Sequence, residues 1–180
     1  YCAGGTVKIQ GGTISGNKAI GNGGGIYIAT NGSLTMTGGT ISGNTATKDG
    51  GGIYGAGSIE ISGGVFGNSS ATSTATSTNY SNYAGGSGGG IYSTGNIRFS
   101  SGKTYVYANY AVSDGGGIYI KKSVTTIACD IKYNNAGGNG GGAYVFCWGA
   151  TDIYGTVSQN SATNGGGLYL DGDNGSDEFI

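Results

Sequence analysis

The sequence predicts an all-β chain wound as a right-handed parallel β-helix: about seven coils of 25–27 residues, three short strands in each. Three observations predict it. Six blocks of three glycines, each followed by one small or aliphatic residue and a tyrosine, end at Tyr27, Tyr54, Tyr92, Tyr119, Tyr144 and Tyr169. A second phrase, Gly-Gly-Thr-Ile-Ser-Gly-Asn, stands whole at Gly11–Asn17 and Gly38–Asn44 and recurs in weaker form before Asn68, Asn109, Asn134 and Asn160. Finally, no segment has a period of 3.6, and each of the 43 glycines in 180 residues would cost about 1 kcal/mol inside a helix. A short apolar strand repeated at this interval buries its side chains only if each repeat forms one coil, pairing in parallel with the coils above and below.

The first strand of a coil is typified by Ile26-Tyr27-Ile28. Alternation puts Ile26, Ile53, Ile91, Ile118, Ala143 and Leu168 on one face and the six tyrosines on the other. Stacked phenols inside a narrow core would each need a hydrogen-bond partner, so the aliphatic column is expected inside and the tyrosine column outside. The second strand, typified by Leu34-Thr35-Met36, agrees: Val7 and Ile9 flank Lys8, Ile59 and Ile61 flank Glu60, and Ile97 and Phe99 flank Arg98. Thr40-Ile41-Ser42 typifies the third.

Glycine supplies positive φ at sharp corners, and asparagine tolerates the same conformation while its amide can bond to its copy one coil away. Asn17, Asn44, Asn68, Asn109, Asn134 and Asn160 are therefore expected to stack as a ladder. A second polar column precedes the triple glycines at Asn22, Asp49, Ser87, Asp114, Asn139 and Asn164. Its two acids, Asp49 and Asp114, are separated by an intervening coil and form no carboxylate pair. The long interval between Tyr54 and Tyr92 marks an insertion of about 14 residues, read as a Ser/Thr-rich loop at about 69–87 that protrudes from one corner. The rest of 1–180 reads as a single domain, and seven coils at ~4.8 Å each make a rod about 30 Å long.

The alternation of Gly-Gly-Gly-Ile-Tyr with Gly-Gly-Thr-Ile-Ser-Gly-Asn resembles the right-handed parallel β-helix repeats of microbial surface proteins, similar to polymorphic outer-membrane proteins and adhesin-like repeat proteins. The resemblance runs from Val7 to Tyr169. It implies a secreted or surface-displayed passenger, and its motifs encode coil geometry rather than activity.

Composition narrows the function. There is no proline and no period of three, which excludes collagen. Eight Lys/Arg against nine Asp/Glu give no electrostatic case for nucleic acid, and the absence of histidine removes the Ser-His, Cys-His and zinc constellations. No stretch approaches 18 apolar residues, so no direct membrane insertion by this segment is expected. Carbohydrate-active β-helices need converging carboxylates, whereas Glu60, Asp130 and Asp152 are scattered; Asp130 with Lys132 near Asp152 is the least unfavourable grouping. The acidic stretch Asp171–Glu178 aligns with the turn at Asn31-Gly32-Ser33 and is read as the entry to a strand rather than a calcium loop. No metal and no cofactor are expected. N-glycosylation sequons stand at Asn31, Asn68, Asn79 and Asn174. Cys129 and Cys147 fall at different corners, so no disulfide is expected between them, while Cys2 could pair with material upstream.

The tyrosine column at Tyr27, Tyr54, Tyr92, Tyr119, Tyr144 and Tyr169 is the candidate ligand or partner surface. An aromatic strip can stack sugar rings or dock a neighbouring rod; the plainer reading, and the preferred one, is that the rings stiffen coil-to-coil packing. The chain opens and stops within a coil, as a piece of a longer solenoid would. The function expected is a non-enzymatic, extracellular or cell-surface structural or adhesive rod, with glycans or itself as partners. The alternatives are a self-assembling extracellular fibre subunit and a polysaccharide-degrading enzyme.

Overall fold

A computed structural model describes residues 1–100, 103–122, 124, 126–146 and 151–172. Among these are 22 strands and no helix, and the strands pair in parallel with their counterparts one turn before and one turn after. The chain is a parallel β-solenoid of about six turns. The seventh expected from the sequence counted a part-turn at each end.

The register follows the repeat. In the first-strand column Ile26, Ile53, Ile91, Ile118, Ala143 and Leu168 lie opposite one another from turn to turn. In the second, Leu34, Ile59 and Ile97 align, as do Met36, Ile61 and Phe99. In the third the aligned set is Ile14, Ile41, Phe66, Val106, Ile131 and Val157. These side chains fill the interior as one continuous cluster, with Ile41, Ile53, Phe66, Val106 and Ile131 fully buried. Lys8, Glu60 and Arg98 point outward between them. Each apolar residue thus packs on its own copies, and each turn seals the apolar face of the next.

A fourth strand position is present that the three-strand reading lacks. Lys18–Ala19, Thr45–Ala46, Tyr83–Ala84, Tyr110–Ala111 and Asn135–Ala136 form a ladder two residues wide. Ala46, Ala84, Ala111 and Ala136 enter the core there. Two residues carry too little alternation to stand out in the sequence, yet the Asn-x-Ala pattern is visible at every level once the ladder is known.

The triple glycines mark a close approach between turns. A Cβ on Gly89 would overlap the carbonyl oxygens of Gly116 in the next turn and of Tyr110. No side chain fits, which is why the sequence holds glycine at this corner.

The insertion does not protrude, contrary to the sequence reading. Residues 68–81 leave the solenoid after Gly64–Gly67 and return at Asn82, and in between they lie back along the rod. Ala75 is 1% exposed. Its N–H donates to the Tyr133 carbonyl at 2.8 Å, and its own carbonyl accepts from Asn135 Nδ2 at 2.9 Å. Ser81 N–H donates to Ala108 O at 2.7 Å, and Thr74 Oγ1 donates to Gln159 O at 2.9 Å. Ala108, Tyr133 and Gln159 occupy the same corner in three successive turns, each at positive φ, and their outward carbonyls are what the strap covers. Its small Ser, Thr and Ala residues let the backbone lie close enough to use its own polar groups.

One ladder is interrupted. The second-strand column runs through Ile97–Phe99 in the fourth turn, but Thr126–Ala128 and Asp152–Tyr154 in the next two turns form a separate two-stranded sheet. The cause is visible in the spacing. Phe99 to Val106 spans seven positions, whereas Ile127 to Ile131 spans four, so the corner shortens abruptly between neighbouring turns.

Gly89→Ala is expected to cost more than about 4 kcal/mol in urea unfolding or to prevent folding, because overlap with two carbonyls cannot be relieved without separating the turns. Gly11→Ala, where an added Cβ meets nothing within 4 Å, is expected to stay within about 0.5 kcal/mol of the parent.

Candidate functional site

The tyrosine column is continuous and longer than the repeat suggested. Tyr1, Tyr27, Tyr54, Tyr92, Tyr119, Tyr144 and Tyr169 stack ring upon ring with centroids 5.2, 4.9, 5.2, 4.9, 4.7 and 5.1 Å apart and interplanar angles from 4° to 16°. Tyr1 belongs to it although no triple glycine precedes it, because Cys2–Ile9 pairs with the Ile26–Met36 strand in parallel. The aliphatic neighbours face inward, and the tyrosines lie on the outer face, half-buried from Tyr27 to Tyr169 and exposed at Tyr1. The in-register spacing of parallel strands sets the ring spacing directly.

This geometry limits what the column can do. Every ring between the two ends has a neighbour on both faces, so the strip leaves free only ring edges and hydroxyls. Stacking of sugar rings on aromatic faces, one of the two uses read from the sequence, has room only at the ends. Burial is the leading cause that raises the phenol pKa values of Tyr27, Tyr92, Tyr119 and Tyr144 above their ordinary value. Asp49 adds to the rise at Tyr92, Asp114 at Tyr119, and Asp171, which accepts a hydrogen bond from the Tyr144 hydroxyl, at Tyr144.

The asparagine ladder has one member different from the expected set. Asn17, Asn44, Asn109, Asn134 and Asn160 take their expected places, but the third rung is Asn82 and not Asn68. Asn68 is exposed and caps its own turn through Oδ1, which accepts from Ser70 N–H at 3.0 Å. With Asn82 in place the interval from ladder asparagine to triple glycine in the third turn is six residues, the interval found in most other turns. The insertion therefore precedes the ladder rather than following it. The Asn-Tyr-Ala of Asn82–Ala84, matching Asn109–Ala111, was the signal that could have located it.

Within the ladder each inner amide both donates and accepts. Asn109 Nδ2 donates to Asn134 Oδ1 and to Phe66 O, both at 2.9 Å, and its Oδ1 accepts from Asn82 Nδ2 at 2.8 Å. Its backbone N–H donates to Asn134 Oδ1 at 3.0 Å. The same pattern repeats at Asn44 and Asn134. The second polar column forms a parallel chain in which the backbone N–H groups of Asp49, Ser87, Asp114 and Asn139 donate to the side-chain oxygens of Asn22, Asp49, Ser87 and Asp114.

The remaining candidates are dispersed. Asp130 and Lys132 meet at 3.9 Å, and Lys132 lies over the Tyr107 ring at 5.6 Å from its centroid. Asp130 also accepts from Thr156 N–H at 2.7 Å and from the Tyr107 hydroxyl at 3.4 Å. Asp152 stands on the separate two-stranded sheet, in register with Thr126. Glu60 and Arg98 are register neighbours on the outer face. Among the described residues no group of three or more His, Cys, Asp or Glu is placed to hold a metal, and no helix is long and apolar enough to cross a membrane. Cys2 and Cys129 are buried free thiols, and burial pushes the Cys129 thiol pKa well up. Cys147, Asn174 and the acidic stretch beyond Gly172 lie outside the described residues.

A family model, that of the Chlamydia polymorphic membrane protein (Chlamydia_PMP) repeat, matches residues 38–56. This stretch carries one full phrase of the repeat, from Gly38-Gly39-Thr40-Ile41-Ser42-Gly43-Asn44 through Gly50–Gly52 to Ile53-Tyr54. The chain's resemblance to polymorphic outer-membrane protein repeats thus has an independent match, and the parallel β-solenoid is consistent with it. No curated protein and no solved structure matches the chain.

Asn109→Ala is expected to cost at least about 2 kcal/mol, since it removes the side-chain donor to Phe66 O and the acceptor of one of the two Asn82 Nδ2 bonds inside the buried ladder. Asn68→Ala should change stability by less than about 0.5 kcal/mol in the same urea titration. The raised phenols set the alkaline limit. The folded state favours the neutral form, so above the ordinary value of 10.0 the unfolded chain releases its protons first. Stability is therefore complete below about pH 10 and falls as the pH climbs beyond it. Tyr92→Phe should make that fall shallower, measured by unfolding midpoints between pH 9 and 12, a range set at about the ordinary tyrosine value.

Proposed function

We propose that the chain is a non-catalytic extracellular rod, a stretch of a surface-displayed repeat protein that carries other parts of that protein away from the cell. The observation that supports this most is the continuity of the ladders: amides, phenols and apolar side chains each run through successive turns in register. Side chains are spent on holding turn to turn. The match to an outer-membrane protein repeat supports placement at the surface.

The same accounting favours a structural over an enzymatic role. Asp130 is already committed to Thr156 N–H, Lys132 and Tyr107, and the acids Asp49 and Asp114 hold backbone N–H groups of the following turns. A carboxylate tied to fixed donors is poorly suited to exchanging a proton with substrate. Adhesion, in this reading, belongs to groups other than the aromatic faces of the ladder, which the rings give to one another.

Two measurements test the proposal. Small-angle scattering across a dilution series is expected to give a concentration-independent rod about 30 Å long; growth into fibres would replace the stalk with the self-assembling subunit. Protease treatment of intact cells producing the whole protein is expected to remove the solenoid epitope, and full protection would refute surface display.

A further inference from the structure

The interruption of the second-strand ladder opens a cavity of about 630 Å³ on the side of the rod. It is lined by Tyr105 on the third-strand sheet and by Ala128 and Tyr154 on the separate two-stranded sheet. It reaches inward to Phe99, Thr104 and Cys129, residues that are otherwise core. Regular turns leave no such space, because matching corners stack. Here the interval from Phe99 to Val106 is three positions longer than that from Ile127 to Ile131, and the hollow is lined by residues of three turns.

Two observations point to a ligand. Thr104 is 2% exposed, lines this cavity, and its Oγ1 is the buried side-chain polar atom left without a hydrogen-bond partner among the described residues. A buried hydroxyl without a partner is costly, and it is satisfied if a ligand oxygen enters. The second is charge. Asp130 in the lining is balanced by Lys132 at 3.9 Å and holds Thr156 N–H, whereas Lys103, also in the lining, has no ion pair among the described residues. The cleft therefore presents one uncompensated cation beside two phenol rings. Unlike the ladder tyrosines, Tyr154 is in no ring stack among the described residues and is 62% exposed, so its faces are not given to a neighbour.

We propose that this cleft binds the acidic end of a glycan, a sugar unit carrying a carboxylate. The carboxylate pairs with the Lys103 ammonium, a ring oxygen or hydroxyl accepts from Thr104 Oγ1, and the apolar face of the sugar lies against Tyr154 and Tyr105. The volume lies in the range of small-ligand sites and holds more than one sugar ring. The inference goes beyond the stalk reading and does not depend on it: the cleft belongs to this stretch of rod wherever the rod is displayed.

Calorimetry on the whole chain with a hyaluronan tetrasaccharide, neutral cellotetraose and octanoate tests it. Hyaluronan is expected to bind at least about tenfold tighter than either comparison ligand, the difference one charge-assisted contact makes. Lys103→Ala and Thr104→Val are each expected to weaken hyaluronan about tenfold. Because Thr104→Val removes an unpartnered hydroxyl at constant shape, it should not lower the unfolding midpoint, which separates a binding role from a structural one. Lys8→Ala, on the outer face of the first turn, should bind as the parent does. Absence of hyaluronan binding, equal affinity for cellotetraose, tighter binding of octanoate, or the same loss in Lys8→Ala as in Lys103→Ala would each overturn the proposal.

Discussion

The structure depends on one requirement, that every side of the coil advance by the same distance per turn. Parallel pairing imposes about 4.8 Å along the axis wherever strands bond, and corners must keep pace with strands or the ladders shear apart. The asparagine amide does this at its own corner. It bonds to its copy in the next turn and to a core-strand carbonyl such as Phe66 O, so it ties the corner to the next level and to the strand beside it. Glycine does the complementary work beside the ladder by removing the side chains that would hold turns apart. The stacked phenols follow from this spacing more than they create it, since copies attached to in-register strands have nowhere else to lie.

The fold was legible because this requirement writes itself into the sequence as a period. Triple glycines, alternating isoleucines and the recurring asparagine are each local, and each repeats at nearly every turn, so strand type, inward face and register follow from spacing alone. What was misread was what does not repeat. The insertion concealed the true ladder residue, Asn82, behind an equally plausible Asn68, and only the pairing of Tyr83–Ala84 with Thr45–Ala46 and Tyr110–Ala111 distinguishes them. The docking of the strap was illegible for a physical reason. Its bonds are made by backbone N–H and C=O groups at Ala75 and Ser81 and by one threonine hydroxyl, and backbone groups carry no sequence signature.

The site shows the same division. That tyrosines lie outside and aliphatics inside could be read from alternation, but that each ring closes the faces of its neighbours needs the distance between turns as well as the register. The cleft at Thr104 and Lys103 arises from a difference in corner length between turns, from Phe99–Val106 to Ile127–Ile131. Repeat analysis averages over such differences, so a search for periodicity passes over the places where a solenoid stops being regular.

A solenoid whose turns touch only their neighbours comes apart like a zipper, one level at a time from a free end, and resists pulling only as well as its weakest junction. The strap changes that connectivity. Emerging from the third turn and bonding at Ala108, Tyr133 and Gln159, it links levels that are not adjacent, so peeling that reaches the sixth turn must also release a segment anchored three turns away. Fraying from that end meets a latch rather than the next tooth, and a rod under load would hold at this point as a block.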